Sequence, residues 1–467
     1  MFNNELWQKP AGGGGSDFYD YQIANSVFLN GTSQSLRKTW GSAASDDNKK
    51  ALSFWIKRTG STGTRSEIGS VLNTKLVSTN NFDLLELNTN GPSGYSDQFG
   101  YTFRAGSNTN WLYQKWRDPS AWMHIIWIWN SDESTTTDRI KFYLNGVNLP
   151  IADSTYWNNN NGNPYPNSGE DTNFGKNGNT MHIADYQYNN AEWFGGQMAE
   201  FIMIDGAASY TDFGEFKNGV WIPKDPSGLT FGNNGFHLNF ASSGDMGNDV
   251  SGNNNDWTAN SISAHDQMLD SPTFNSDSNG GNFATMNPLS NGSNPVLGEG
   301  NLMMDSFSGS DISGSLANFA LPASSGKWYF ECFINAPNSG DNYPFIGLTA
   351  TIHRQYPAGG IDQRDLSINL GTGGSENSTT YVGSITTDFT SVSSYADNTV
   401  CGVFVDMDAR KLWYAKDGAF TNSGNPQTGA NPNYVWTNNI PLIPHFVSFG
   451  GYGADSVFNF GQEGTFA

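Results

Sequence analysis

The chain has 467 residues, 36% of them hydrophobic and 14% aromatic, and a formal net charge of −21. That balance excludes a nucleic-acid-binding face, which needs clustered Lys and Arg, and no apolar run approaches the roughly 20 residues that membrane insertion requires. With 54 glycines, abundant Asn and no long helical periodicity, the composition predicts an all-β protein of short strands and turns, its cores filled by Phe, Trp and Tyr.

In chain order, residues 1–25 read as an N-terminal arm. Leu6 and Trp7 precede a flexible tether, Gly12–Gly15, and Phe18, Tyr19 and Tyr21 follow it. Two readings stay open there: a docking segment anchored by Leu6 and Trp7, or a terminus with incidental aromatics. The start lacks a charged n-region and an apolar h-region, so no signal peptide is expected and synthesis in a cytoplasm is.

A first β domain is predicted over 26–240. Val27-Phe28-Leu29 runs into the turn pair Asn30-Gly31, and Leu52–Ile56 alternates. Phe82–Leu87 and Tyr101–Phe103 follow. The run WMHIIWIW, Trp122–Trp129, predicts a strand buried on both faces. Arg139–Leu144 ends at Asn145-Gly146, a two-residue hairpin signal. Met181–Ala184, Phe201–Ile204 and the alternating Phe236, Leu238 and Phe240 complete the set. Residues 241–304 are rich in Gly and Asn and acidic, with no Lys or Arg and seven Asp or Glu in 241–300, and are predicted as a linker. A second β domain is predicted over 305–467, with strands at Lys327–Phe333, Phe345–Leu348, Thr399–Asp406, Lys411–Tyr414 before Asp417-Gly418, Leu442–Val447 and Phe458–Phe460. The expected fold is thus two antiparallel β-sandwich (jelly-roll) domains.

Two cysteines, Cys332 and Cys401, are too few for a disulfide framework. Cys332 is in phase with Trp328 and Phe330, and Cys401 with Val403 and Val405, so both are expected to be buried and reduced.

Three resemblances emerge from this pattern. SFWIKRTG, WMHIIWIW, RIKFYLNG, MHIA and WFGGQMAEFIMIDGAAS, in that order, resemble the laminin-G/pentraxin type of concanavalin-like jelly roll, with Glu200 at its acidic position. KWYFECF, PFIGL, TVCGVFVD, KLWY with KDG, LIPHFV and FNFG resemble a SPRY domain, with Asp417 where that family's turn carries Asn. FASSGDMGNDVSGNNNDW and DSPTFNSDSNGGNFATMNPL resemble a joining segment of structural and tail-fibre proteins of marine phages. Together these imply a virion protein: a tail fibre, adhesin or capsid decoration, present as a homo-oligomer on the particle. Its partners would be other virion proteins and a host-surface carbohydrate or protein. A cellular SPRY adaptor that binds peptides is one alternative.

The other alternative is a glycan-degrading enzyme, because concanavalin-like folds include glucanases. Retaining glycosidases need two carboxylates about 5 Å apart, which on one strand demands even spacing. Glu200 and Asp205 are oddly spaced, and Asp406 with Asp408 falls at a strand end and turn. The six histidines are scattered, no C-x-x-C exists for zinc, and neither a G-x-S-x-G elbow nor a P-loop occurs. No enzyme activity and no cofactor are expected. Calcium is an open candidate at Asp245, Asp249 and Asp256, whose run lacks the closing Glu of a twelve-residue loop. Aromatics in Asn- and Asp-rich sequence carry the binding expectation: Trp111, Tyr113, Tyr156, Trp157 and Tyr165 either stack on sugar rings or cover the ends of the sandwich.

Overall fold

The computed structural model describes residues 18–58, 68–75, 82–88, 97–103, 108–116, 118–151, 153–159, 164–186, 193–274, 281–288, 296–305, 312–335, 344–350, 366–370, 375–377, 382–385, 395, 398–449 and 455–463. These fall into two compact units, divided between residues 282 and 283. Both units are antiparallel β-sandwiches, as the composition predicts.

The first unit contains β1 (Ser26–Asn30), β2 (Ser35–Thr39), β3 (Lys49–Arg58), β4 (Ile68–Lys75), β5 (Phe82–Asn88), β6 (Gln98–Phe103), β7 (Asn108–Lys115), β8 (Trp122–Asn130), β9 (Ile140–Leu144), β10 (Val147–Asn148), β11 (Trp157–Asn159), β12 (Thr180–Ile183), β13 (Gly195–Ile204), β14 (Gly214–Lys217), β15 (Val220–Pro223), β16 (Phe236–Leu238), β17 (Thr258–Asn260) and β18 (Gln267–Met268). One sheet runs β10-β9-β8-β3-β13-β1-β18, with β16 also on β13; the facing sheet runs β11-β7-β6-β5-β4-β12-β2-β17. Their inner faces share one core that includes Leu52, Phe54, Ile125, Trp127, Trp129, Tyr101 and Leu112. The apolar run of β8 is buried on both sides for a simple reason. Ile125, Trp127 and Trp129 point into that core, while Ile126 and Ile128 join a second cluster on the sheet's outer face. The hairpin β14–β15 supplies Trp221 there, and Phe213 belongs to the same outer cluster. Asn145 and Gly146 both adopt positive φ, 48° and 76°, as the tight β9–β10 hairpin requires.

The stretch predicted as a linker belongs to the folds instead. Residues 241–274 close over the first sandwich: Met246 and Trp257 are in its core, β17 pairs with β2, and β18 pairs with β1. Gly and Asn are abundant there because the chain folds back tightly. Trp257 N donates to Gly247 O at 2.8 Å, and a Cβ on Gly247 would fall 1.8 Å from the Trp257 carbonyl oxygen. The predicted arm also ends earlier than residue 25. Ile23 is fully buried and its N–H donates to Thr273 Oγ1 at 2.7 Å. Leu6 and Trp7 lie outside the described residues.

The second unit contains β19 (Val296–Gly298), β20 (Met303–Asp305), β21 (Ile312–Leu316), β22 (Lys327–Asn335), β23 (Phe345–Ala350), β24 (Leu366–Asn369), β25 (Ser375–Asn377), β26 (Thr399–Asp406), β27 (Lys411–Lys416), β28 (Ala419–Phe420), β29 (Tyr434–Val435), β30 (Leu442–Phe449) and β31 (Asp455–Asn459). Its sheets run β19-β20-β31-β22-β26-β27-β28, with β29 on β27, and β21-β30-β23-β24-β25. The core between them holds Phe330, Cys332, Cys401, Val403, Tyr414, Ile346 and Phe446. Cys332 and Cys401 face each other across β22–β26, and both are buried, free thiols. Asp406 and Asp408 serve turns: Ala409 N donates to the first at 2.8 Å and Gly326 N to the second at 3.2 Å.

Candidate functional site

The five aromatics expected to bind ligand separate by burial. Trp157 is 1% exposed; it lies opposite Leu112, edge-on to Tyr101 and Phe142, and its indole N–H donates to Leu149 O at 3.0 Å. Tyr165 is likewise in the core. Both are buried in the core of the first sandwich and present no free ring face to a ligand. Trp111 is nearly buried, its ring lying over Gly100, where a Cβ would come within 2.6 Å. Tyr113 and Tyr156 are exposed, 47% and 38%, and are neighbours across β7–β11, with Tyr113 N donating to Tyr156 O at 2.7 Å. Both lie at the β11 edge of that sheet.

The three acidic candidates for calcium are spent on turns. Asp249 Oδ1 accepts from the N–H groups of His237 and Ser251, and its Oδ2 from Asn255 N and Ser251 Oγ, at 2.8–2.9 Å. Asp256 Oδ1 accepts from Asp249 N, and Asp245 Oδ1 from Gly247 N. These carboxylates shape the loop that carries Trp257. Among the described residues no group of three or more His, Cys, Asp and Glu is placed to hold a metal.

A concave site lies elsewhere, on the outer side of the first sandwich. A cleft of about 320 Å³ is lined by Asn130, Glu133, Asp138, Lys141, Tyr143 and Tyr210, together with Ala207 to Ser209. Three local structures build it. On β9 the inward residues Ile140, Phe142 and Leu144 enter the core, which turns Lys141 and Tyr143 outward. The turn between β8 and β9 is pinned by Arg139, whose Nε donates to Glu133 O at 2.9 Å and whose guanidinium reaches Pro166 O at 3.2 Å. Tyr210 opens a short 3-10 turn capped by Ser209 and Asp212, with Ser209 N donating to Asp212 Oδ2 at 2.7 Å.

The aromatic wall is continuous. Tyr143 and Tyr210 stack with centroids 4.4 Å apart and planes 9° apart, and Tyr210 stacks in turn on Trp221 at 6.0 Å. Trp221 is fixed from below: its indole N–H donates to His124 Nδ1 at 2.8 Å. An indole nitrogen only donates, so Nδ1 carries no proton and Nε2 does, donating to Ser53 Oγ at 2.7 Å. His124 also stacks on Trp55 at 4.4 Å. Burial pushes its pKa down from 6.5 to about 3, so the imidazole is neutral. Burial, then the neighbouring Tyr210, pushes the Tyr143 hydroxyl up, so it stays a donor.

The polar side of the cleft is rich in acceptors. Lys141 Nζ is 3.2 Å from Asp138 Oδ1, and Asn130 Nδ2 donates to Glu133 Oε1 at 3.0 Å. Asn130 Oδ1 is buried and has no protein hydrogen-bond partner. The sequence reading passed over all of these residues. They come from two separated segments, and the outward phase of Lys141 and Tyr143 on β9 was the one available signal.

No family model matches the chain, and no curated protein matches it significantly. Among solved structures, it is similar to the SPRY domain of human HERC1 at 15% identity and TM-score 0.28, over 39% of this chain and 99% of that one. It is similar to domains LG4-5 of the mouse laminin alpha1 chain at 10% identity and TM-score 0.28, over 93% and 84%. A candidate carbohydrate binding protein from Bacteroides ovatus aligns at 12% identity and TM-score 0.33, over 51% of this chain and 58% of its own. At these TM-scores the likenesses carry no functional argument, and the functional reading stands on the cleft.

Proposed function

We propose that this chain is a non-catalytic binding protein of a phage particle, and that its first sandwich holds a host-surface saccharide in the Tyr210 cleft. The observation that carries the saccharide reading is the pairing of a stacked tyrosine wall with the carboxylates of Glu133 and Asp138 in one concave site. A sugar ring offers what suits that pairing: an apolar C–H face for the aromatics and hydroxyl donors for the carboxylates. The volume is near the lower end of small-molecule sites, about 300–1,000 Å³, and suits one or two sugar units.

Binding without catalysis is favoured by how the two carboxylates are held. Glu133 is tied to Asn130 and Asp138 to Lys141, which positions them as acceptors. The placement on a virion, as tail fibre, adhesin or capsid decoration made in the host cytoplasm, rests on the sequence resemblance of residues 240–257 and 270–289 to phage joining segments. There many copies would add avidity to a weak single site.

Glycan-array binding by the full chain and by Tyr210→Ala tests the first part. Retention of selected glycans by the native chain and loss of at least about tenfold in the variant, roughly 1.4 kcal/mol, is the expected result. Release of new reducing ends from a bound glycan would replace this reading with the hydrolase alternative. Antibody labelling of purified particles from phages encoding the chain tests the virion placement, and unlabelled particles would count against it.

A further inference from the structure

Lys50 and Lys57, both on β3, are completely buried, and each meets a buried aspartate. Their surroundings differ in one respect. Lys50 Nζ meets Asp205 Oδ1 at 2.8 Å, Asp47 at 3.9 Å and the Asp46 carbonyl. Lys57 Nζ meets Asp270 Oδ2 at 2.7 Å and also the side-chain carbonyl of Asn282, Oδ1, at 2.8 Å. An amine, a carboxamide and a carboxylate thus converge at Lys57.

Each member is held by its own support. Trp122, opposite Lys57 on β8, donates its indole N–H to Asp270 Oδ1 at 2.9 Å, which leaves Oδ2 for the amine. Asn282 Nδ2 donates to Ser120 O at 2.7 Å. That carbonyl can only accept, so the amide orientation follows, with Oδ1 and the electrophilic carbon toward Lys57. The Asn282 backbone is fixed by its neighbour: Gly281 bridges Asp270, with Gly281 N donating to Leu269 O at 3.0 Å and Ser271 N to Gly281 O at 2.8 Å. Asn282 is itself exposed, so a small leaving group has a way out.

We propose that Lys57 and Asn282 join in an intramolecular amide bond, with Asp270 as the proton relay. Asp270 takes a proton from the Lys57 ammonium. The freed Nζ lone pair adds to Cγ of Asn282, forming the Nζ–Cγ bond, and collapse of the adduct breaks the Cγ–Nδ2 bond. Two protons pass in all from Nζ through Asp270 to the leaving nitrogen, which departs as ammonium. Asp270 ends as the carboxylate it began as, the product is a secondary amide, and no oxidant or metal is needed. Holding the reactants at hydrogen-bond distance supplies the effective concentration such a step needs. The desolvated site lowers the Lys57 pKa from its ordinary value, which helps form the nucleophile. The bond would close a loop from β3 to the segment after β18, sealing the first sandwich covalently.

Intact mass spectrometry of the purified full chain reads this directly. The expected mass is lower than the sequence mass by one ammonia, and proteolysis should yield a branched peptide joining Lys57 to Asn282. Asn282→Ala, which keeps the Lys57–Asp270 pair, should fold and show its full sequence mass. Folded wild-type protein at full mass, or an ammonia loss that fragmentation maps to another site, overturns the proposal. A folded Asp270→Asn variant that still carries the branch overturns the role of Asp270.

Discussion

His124 shows how one buried residue couples the cleft to pH. Its folded-state pKa, about 3, lies below the ordinary 6.5 because burial penalises the charged ring. As pH falls below 6.5, the unfolded chain takes up a proton that the folded chain refuses until about pH 3. Stability from this group is therefore full above 6.5 and lost through that window, at no more than about 1.4 kcal/mol per pH unit. Compared with His124→Gln, the wild-type unfolding free energy is expected to fall more steeply between pH 7 and pH 4 in denaturant titrations. A difference that does not change with pH would mean that the folded ring takes up its proton as readily as the unfolded one, and with it the donor–acceptor chain from Trp221 to Ser53 would be misassigned. The buried thiols follow the same physics. Burial pushes Cys401 up to about 12 and raises Cys332 as well, so neither forms the reactive thiolate at neutral pH. Both should resist a thiol reagent in native protein and react once denatured; rapid native labelling of either would contradict their placement.

At the level of elements, alternation carried most of the information. The run Trp122–Trp129 announced burial on both faces, and β8 has apolar layers on both sides. Asn145-Gly146 announced its hairpin, and both residues take the required positive φ. The stretch after β16 misled because loops that pack tightly look like linkers: Gly247 is needed for the close approach of Trp257, and Asp249 is needed for its turn, yet both read as disorder-prone. Trp257 is the largest apolar residue of that stretch, and it is in the core. Trp257→Ala is accordingly expected to cost about 3–5 kcal/mol, as other buried Trp truncations do, and chymotrypsin should spare Trp257 in native protein. A near-neutral variant, or rapid cleavage there, would restore the linker reading.

For the whole molecule, two all-β sandwiches were legible from turn pairs and aromatic strands, whereas the cleft was not. Tyr113 and Tyr156 are exposed, whereas Trp157 and Tyr165 fill the core, but loop sequence alone carried no phase to read. Tyr210 and Asn130 meet only because the loop after β13 folds back over the turn after β8, a long-range event with no local signature. The central claim is that this meeting point holds a saccharide. The most direct measurement is a crystal structure of the full chain soaked with a glycan selected on the array. A sugar ring resting against Tyr210, with hydroxyls donating to Glu133 or Asp138, is the expected result; the same glycan bound beside Tyr113 and Tyr156, with the cleft holding only water, would contradict it.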